Sequence, residues 1–196
     1  VNLDTVTREE ISEWQPGDTL LLNGKMLTGR DAAHKKMVDM MAAGEELPVD
    51  LTGRFIYYVG PVDPVRDEVV GPAGPTTATR MDKFTRTMLE KTGLMGMIGK
   101  AERGPQAIES IARHGAVYLI ATGGAAYLVS RAIRKARVVA FPELGMEAVR
   151  DGAYRRELME VRSGLAAARA DGVRADGQPL EHEVGVALEQ GAVHVR

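Results

Sequence analysis

Residues 95–121 have the sequence MGMIGKAERGPQAIESIARHGAVYLIA. Two short apolar segments, Met95–Ile98 and Ala116–Ala121, are typical of buried strands. Between them, Pro105–His114 begins with proline, a residue favoured in the first turn of a helix. Strands and helices alternate in the same way from residue 55 onward. This alternation predicts an α/β domain in which helices pack on a sheet.

The other elements are predicted from apolar spacing and from breaker residues. Phe55–Val59 is a buried strand that ends at Gly60-Pro61. Helices are predicted after Arg30 and before Gly93. Further predicted elements are a helix at Thr7–Trp14, a strand at Thr19–Leu22, a helix at Ala125–Ala136 and a strand at Val138–Phe141.

The composition changes near residue 150, because residues 151–196 contain no Lys, Ile, Phe or Thr. Apolar residues at helical spacing predict an amphipathic helix at the start of this segment. These residues are Tyr154, Leu158, Val161 and Leu165. We therefore expect a main domain over residues 1–150 and an atypical helical and polar tail over residues 151–196.

The overall composition excludes several classes of protein. The charges of the 27 acidic and 25 basic residues nearly cancel. The chain therefore lacks the excess of basic residues that is typical of a nucleic-acid groove or of a patch that binds anionic membranes. The chain has no cysteine, which excludes a disulfide scaffold, a thiol nucleophile and a thiolate-held metal supplied by this chain. Apolar runs are far shorter than the roughly 18–20 residues of a membrane span. We expect a cytoplasmic protein, and the missing initiator Met suggests a piece of a longer chain.

Common phosphate and metal motifs are missing from the sequence. Residues 93–100, GLMGMIGK, have a glycine spacing one residue too long for a phosphate loop, and Ala101 stands where that motif needs Ser or Thr. The histidines are not at metal-ligand spacing. They are His34, His114, His182 and His194. The sequence predicts no metal ligands in this chain.

Residues 74–82, GPTTATRMD, place several hydroxyls and Arg80 where a Gly/Pro loop enters a helix. Free N–H groups at a helix start suit a carboxylate or phosphate, and an Arg can hold a carboxylate through two hydrogen bonds. The alternative is simple capping by Thr77 or Thr79, with Arg80 on a solvated face. Arg30 and Lys100 occupy similar junctions beside glycines. Three such cations together would suit a small dianion.

At these residues the chain resembles the C-terminal (β) part of the class I iron–sulfur fumarases and the related L(+)-tartrate dehydratases. The likeness runs from about residue 3 to residue 149. It is carried by residues 22–34 (LNGKMLTGRDAAH), 56–61 (IYYVGP), 74–82 (GPTTATRMD), 122–126 (TGGAA) and 143–147 (ELGME).

The resemblance implies a swivelling β/β/α domain with a central mixed sheet and flanking helices. It also implies reversible hydration of fumarate to L-malate, with L(+)-tartrate dehydration as the alternative. A [4Fe–4S] cluster would be held by cysteines of a separate α domain or subunit, and not by this chain. The partners would be that α part, a C4 dicarboxylate and, in a dimer, a second such unit, with no nucleic acid and no membrane.

The resemblance also assigns site residues. Arg30, Arg80 and Lys100 would bind substrate carboxylates, and Thr76 would take part in proton transfer. Asp31 and His34 would lie behind these site residues and hold them in position without binding the substrate directly.

One departure follows Glu147, where the family continues with an aromatic residue and a strand pair. The sheet could lack a closing strand here, or another segment could replace it. Two alternatives to an enzyme half therefore stay open. They are a stand-alone dicarboxylate-binding module and a purely structural domain.

Overall fold

A computed structural model describes residues 1–121, 126–154 and 160–165, the last range through its backbone alone. Its strands are β1 (Thr19–Leu21), β2 (Gly24–Thr28), β3 (Phe55–Tyr57), β4 (Gly96–Gly99), β5 (Val117–Ala121), β6 (Ile133–Ala140), β7 (Val149–Tyr154) and β8 (Glu160–Leu165). Its helices are α1 (Arg8–Ser12), α2 (Asp31–Ala42), α3 (Asp82–Thr92), α4 (Pro105–Arg113) and α5 (Ala126–Ala132), with 3₁₀ turns at Ala78–Met81 and Pro142–Glu147.

The strands form one mixed sheet in the order β1-β8-β5-β4-β3-β2-β7-β6. The central strands β5, β4, β3 and β2 are parallel to one another, and the outer strands are antiparallel to their neighbours. The predicted α/β fold, a central mixed sheet with flanking helices, is confirmed. Because parallel strands run in one direction, the loops that follow β2, β3 and β4 all leave the same edge of the sheet.

Strand β3 shows how the sheet is buried on both faces. Phe55 and Tyr57 lie in one core layer, which also contains residues of α1 and α5. Ile56 lies in the second layer, with residues of α2, α3 and α4. A strand covered on both faces needs apolar side chains at consecutive positions, as Phe55–Tyr57 has. Each fully buried side chain of this kind stabilises the fold by about 1.5–3 kcal/mol.

Several predicted elements are confirmed. Thr7 caps α1 by accepting a hydrogen bond from the Glu10 N–H at 3.2 Å. Helix α3 ends at Gly93, whose φ of 66° lies in the left-handed region that glycine adopts without strain. Helix α4 begins at Pro105, and the strands predicted around it are β4 and β5.

Other elements differ from the prediction. Helix α5 ends at Ala132, because from Ile133 onward the chain pairs with β7 instead of continuing the helix. The amphipathic helix predicted through Tyr154 and Val161 is wrong, since both residues lie in strands. Strand β8 fills the position between β5 and β1, where its backbone satisfies hydrogen-bonding groups on both neighbours. Segments of the predicted tail thus supply strands of the sheet.

The division of the chain near residue 150 stays a prediction, because residues 155–159 and 166–196 lie outside the described part. Leu158 of the predicted helix falls in the first of these ranges. No helix in the described part is long and apolar enough to cross a membrane.

Candidate functional site

The predicted site residues gather at the edge of the sheet where β2, β3 and β4 end. Arg30 follows β2, and Lys100 follows β4 directly. Thr76 joins this edge because its N–H donates to the Tyr58 carbonyl, just after β3, at 2.7 Å. The Lys100 N–H in turn donates to the Thr76 carbonyl at 3.1 Å. Backbone pairing therefore brings together residues that lie far apart in the sequence.

Arg30 is held by a carboxylate that lies far from it in the sequence. Its Nη2 atom lies 2.9 Å from Oε1 of Glu147. The other oxygen of Glu147 accepts a hydrogen bond from the Ala32 N–H at 2.8 Å, which satisfies a free donor at the start of α2. Nε of Arg30 is buried and has no hydrogen-bond partner within the described part of the chain. The Arg30 side chain as a whole is 24% exposed, so another part of it remains open to a ligand.

Gly60 makes room for this guanidinium group. A Cβ atom at position 60 would lie 3.1 Å from Nε of Arg30 and 3.0 Å from the Met146 carbonyl oxygen. Any side chain here would therefore displace Arg30 or the turn that carries Glu147. The IYYVGP segment thus needs glycine at position 60 because Arg30 and the Met146 carbonyl lie so close to its backbone.

Asp31, the residue after Arg30, pairs with Arg80. Its Oδ2 atom lies 2.8 Å from Nη2 of Arg80, and its Oδ1 accepts a hydrogen bond from Nε of Arg80 at 3.1 Å. The Arg80 side chain is 54% exposed, so it remains open to a ligand from the solvent side. Helical capping by Thr77 is not observed, since its side chain makes no cap bond.

Thr76 and Lys100 lie together on the other side of the site. Thr76 is 9% exposed, whereas Lys100 is exposed. Gly99 permits this packing, because a Cβ there would lie 3.0 Å from Cβ of Ala78 and 3.2 Å from the Thr76 carbonyl oxygen. Residues 122–125, part of the TGGAA segment, follow β5 and lie outside the described residues.

His34 contacts the backbone of Arg30 and not the solvent. Its Nδ1 atom lies 2.9 Å from the Arg30 carbonyl oxygen, and its ring packs edge-on against Tyr58. Burial lowers the pKa of His34 to about 4, so the ring is neutral at pH 7. A neutral ring that donates from Nδ1 leaves Nε2 as an acceptor, which is buried without a partner in the described structure.

Comparison with known proteins decides the family. The model of a family described as "Fumarase C-terminus" matches residues 1–155. The chain belongs to this family. The resemblance stated from the five sequence segments is therefore confirmed.

Three relatives illustrate the match. The chain is 38% identical over 142 residues to the class I aerobic fumarate hydratase of Salmonella typhimurium, covering 72% of this chain and 24% of that protein. It is 38% identical over 143 residues to fumarate hydratase 2 of Leishmania major, covering 72% and 25%. A Methanocaldococcus jannaschii protein provisionally named L(+)-tartrate dehydratase subunit beta is 36% identical over 144 residues, covering 72% and 74%. The chain thus spans about a quarter of the fumarate hydratases that it matches.

The residues of this fumarase C-terminal chain do not fit an iron–sulfur cluster. The sequence contains no cysteine, the usual ligand of such clusters. Within the described ranges, no three His, Asp or Glu side chains are grouped as metal ligands.

Sequence reasoning missed a buried cluster beside the site. Arg103, whose side chain is fully buried, pairs with Asp82 at 2.6 Å and donates to the Thr85 hydroxyl. The Arg103 guanidinium carbon lies 5.0 Å from the Tyr118 ring centroid. Arg103 falls in a polar loop of the sequence, where charged residues are usually exposed. One member of the cluster, Asp82, is the last residue of the GPTTATRMD motif, and this was the sequence signal that could have pointed to the cluster.

Proposed function

We propose that this chain is the C-terminal part of a class I fumarate hydratase and that the complete protein reversibly adds water to fumarate to form L-malate. The observation that supports this most is the gathering of Arg30, Arg80, Thr76 and Lys100 at one sheet edge in a member of the fumarase C-terminus family. Fumarate and L-malate carry two carboxylates, which suit three cations.

The arginines and Lys100 would bind the substrate carboxylates by charge-assisted hydrogen bonds. Arg30 would offer the exposed part of its side chain, and Arg80 would offer the exposed side of its guanidinium group. Asp31 and Glu147 already pair with these arginines, so only one positive charge among the five groups is uncompensated. The substrate would therefore share the arginines with these carboxylates. It would also meet Lys100, which has no ion-pair partner among the residues that the structure describes.

Thr76 would lie beside the reacting carbon and help to move a proton. A threonine hydroxyl is a poor base near neutral pH, so it would act together with an acidic group of the α part. Asp31 and His34 would hold Arg80 and the Arg30 backbone in place.

A partner would complete the site. The α domain or subunit would hold a [4Fe–4S] cluster through its own cysteines, and the bound cluster would supply Lewis-acid polarisation of the substrate. The relatives support a partner, because this chain covers only 24% of one fumarate hydratase and most of a protein named as a beta subunit. Cytoplasmic location and a dimer of such α–β units stay part of this proposal.

The test is to combine this chain with an anaerobically prepared α part of a class I fumarate hydratase and to follow the loss of fumarate absorbance. We expect hydratase activity only in the mixture. Arg80→Ala should lower kcat/KM about 100-fold or more, because two charge-assisted hydrogen bonds are lost. Lys35→Ala removes an exposed cation of α2 and serves as the matched control, with activity unchanged. Equal activity of both variants would contradict the proposal.

A second candidate is the beta subunit of an L(+)-tartrate dehydratase. It is favoured by the 74% coverage of the Methanocaldococcus protein, which is much closer to this chain in length than the fumarate hydratases are. The ratio of kcat/KM for fumarate and for L(+)-tartrate, measured on the same mixture, decides between them. Tight calorimetric binding of fumarate by the chain alone, without activity in the mixture, would instead favour a non-catalytic dicarboxylate-binding module.

A further inference from the structure

The loop between β4 and α4, residues 100–104, begins with Lys100 and is fastened along its whole length. The Lys100 carbonyl accepts from the Ala78 N–H at 2.8 Å, and the Ala101 carbonyl accepts from the Tyr118 hydroxyl at 2.7 Å. The Glu102 carbonyl accepts from the Thr79 hydroxyl at 2.8 Å. Two of these three bonds come from the 3₁₀ turn that carries Arg80.

Arg103 and Asp82 close this loop from the inside. Asp82 accepts from Nε of Arg103 and, with its second oxygen, from the Gly104 N–H, both at 2.6 Å. The guanidinium carbon of Arg103 also lies 5.7 Å from the Tyr58 ring centroid and 5.0 Å from that of Tyr118. Burying a charge so fully is favourable only when its hydrogen bonds are satisfied, so this arrangement has little freedom to shift.

The backbone of the loop is strained at one residue. Ala101 has a φ of 64°, in the left-handed region that residues other than glycine rarely adopt. Such strain persists only where the surrounding contacts determine the conformation. The Tyr118 hydroxyl bond to the Ala101 carbonyl is one of those contacts.

We propose that Arg103 is a positioning residue which, with Asp82 and Tyr118, fixes the 100–104 loop to the Ala78–Asp82 segment, so that Lys100 and Arg80 meet a substrate dianion as one preset pair. This inference rests on the proposed function, in which both cations bind carboxylates. Arg103 itself is buried behind the loop, so it would act through these cations and would not touch the substrate.

The test measures KM and kcat for fumarate in the mixture with the α part. Tyr118→Phe removes only the hydroxyl and should raise KM about three- to tenfold, with kcat changed less than twofold, because the carboxylates are bound alike in the ground and transition states. Arg103→Lys, which keeps the charge but loses the planar fork, should raise KM about tenfold or more. Tyr154→Phe is the matched control, since its buried hydroxyl has no partner in the described structure, and its KM should not change.

A double-mutant cycle separates positioning from general stability. In a Lys100→Ala background, Tyr118→Phe should change KM less than twofold, since the cation that it positions is gone. The same fold-change with and without Lys100 would overturn the inference. Tyr118→Phe carries the test even where Arg103→Lys does not fold.

The proposed function fails separately from this inference. It fails when the unmutated mixture shows no hydratase activity and calorimetry shows that Lys100→Ala and Arg80→Ala leave succinate binding unchanged. An active unmutated mixture with an unaltered KM in Tyr118→Phe would overturn the positioning role alone.

Discussion

Two corners of the site hold their cations by different means. At the Lys100 corner, backbone hydrogen bonds and a fully buried Arg103 fasten the loop. At the Arg30–Arg80 corner, the backbone turn of Arg80 shares this fastening, but the guanidinium groups are held by Glu147 and Asp31, in ion pairs whose side chains remain 22–54% exposed. Exposed pairs are weak and are screened by salt, whereas a buried pair resists both solvent and competing ions. Under the proposed function, an incoming carboxylate would exchange with Asp31 or Glu147, but it would not displace Asp82 from Arg103.

The difference between the two corners is tested most directly by the unfolding free energies of two matched variants. Arg103→Met should lower the free energy of unfolding by about 3–5 kcal/mol, because it leaves Asp82 without its buried partner. Arg80→Met removes the same kind of side chain from the exposed corner and should cost less than about 1 kcal/mol. Urea denaturation of the two variants at pH 7 measures both values. Equal losses would mean that the corners do not differ.

His34 is the buried exception within the exposed corner, and it should give that corner a pH dependence. Its pKa is about 4 in the folded chain because burial disfavours the charged ring, compared with 6.5 when exposed. Between these values the unfolded chain binds the proton and the folded chain does not, so stability falls as pH falls from 6.5 towards 4. The loss should reach about 3 kcal/mol.

The measurement is the difference in unfolding free energy between the parent chain and His34→Gln, followed from pH 8 to pH 4. The variant keeps an amide donor for the Arg30 carbonyl but cannot titrate. A difference that stays constant over this range would show that the pKa of His34 is the same in the folded and the unfolded chain.

The smallest effect is expected at the pair between Asp31 and Arg80. Asp31→Asn keeps the shape of the side chain and removes its charge, so stability should change by less than about 1 kcal/mol. That difference should shrink further at high salt, because the pair is partly exposed. Denaturation at low and high salt measures it, and a large difference independent of salt would place this pair with the buried one.

Local patterns predicted much of the sheet. Phe55–Val59, Met95–Ile98 and Ala116–Ala121 are continuous apolar runs, and such runs suit strands buried on both faces. Strand β8 was missed because Val161 and Leu165 also fit a helical period, as Tyr154 at the end of β7 does. In the structure, pairing with β2, β6, β5 and β1 decides their conformation, and this cannot be read from local spacing.

The site divides in the same way. Arg30, Thr76, Arg80 and Lys100 follow glycines or turns in quoted motifs, so sequence reasoning could select them, and the structure places them at one edge. Glu147 contacts both Arg30 and Ala32, and the nearer of these in the sequence, Ala32, is 115 positions away. The Arg103–Asp82 pair spans 21 positions. The pairing itself has no local signal, because tertiary packing alone brings these charges together.

Strand β8 has a consequence for how the chain could be shortened. The family match ends at residue 155, whereas β8 begins at Glu160 and lies between β5 and β1. A chain cut after residue 155 would leave one side of β5 with unpaired backbone donors and acceptors. An open strand edge of this kind is a template for pairing with other chains, so the shortened protein should self-associate and precipitate. Strand β8, which lies beyond the part of the chain that matches the family, thus prevents β5 from pairing with a strand of another molecule.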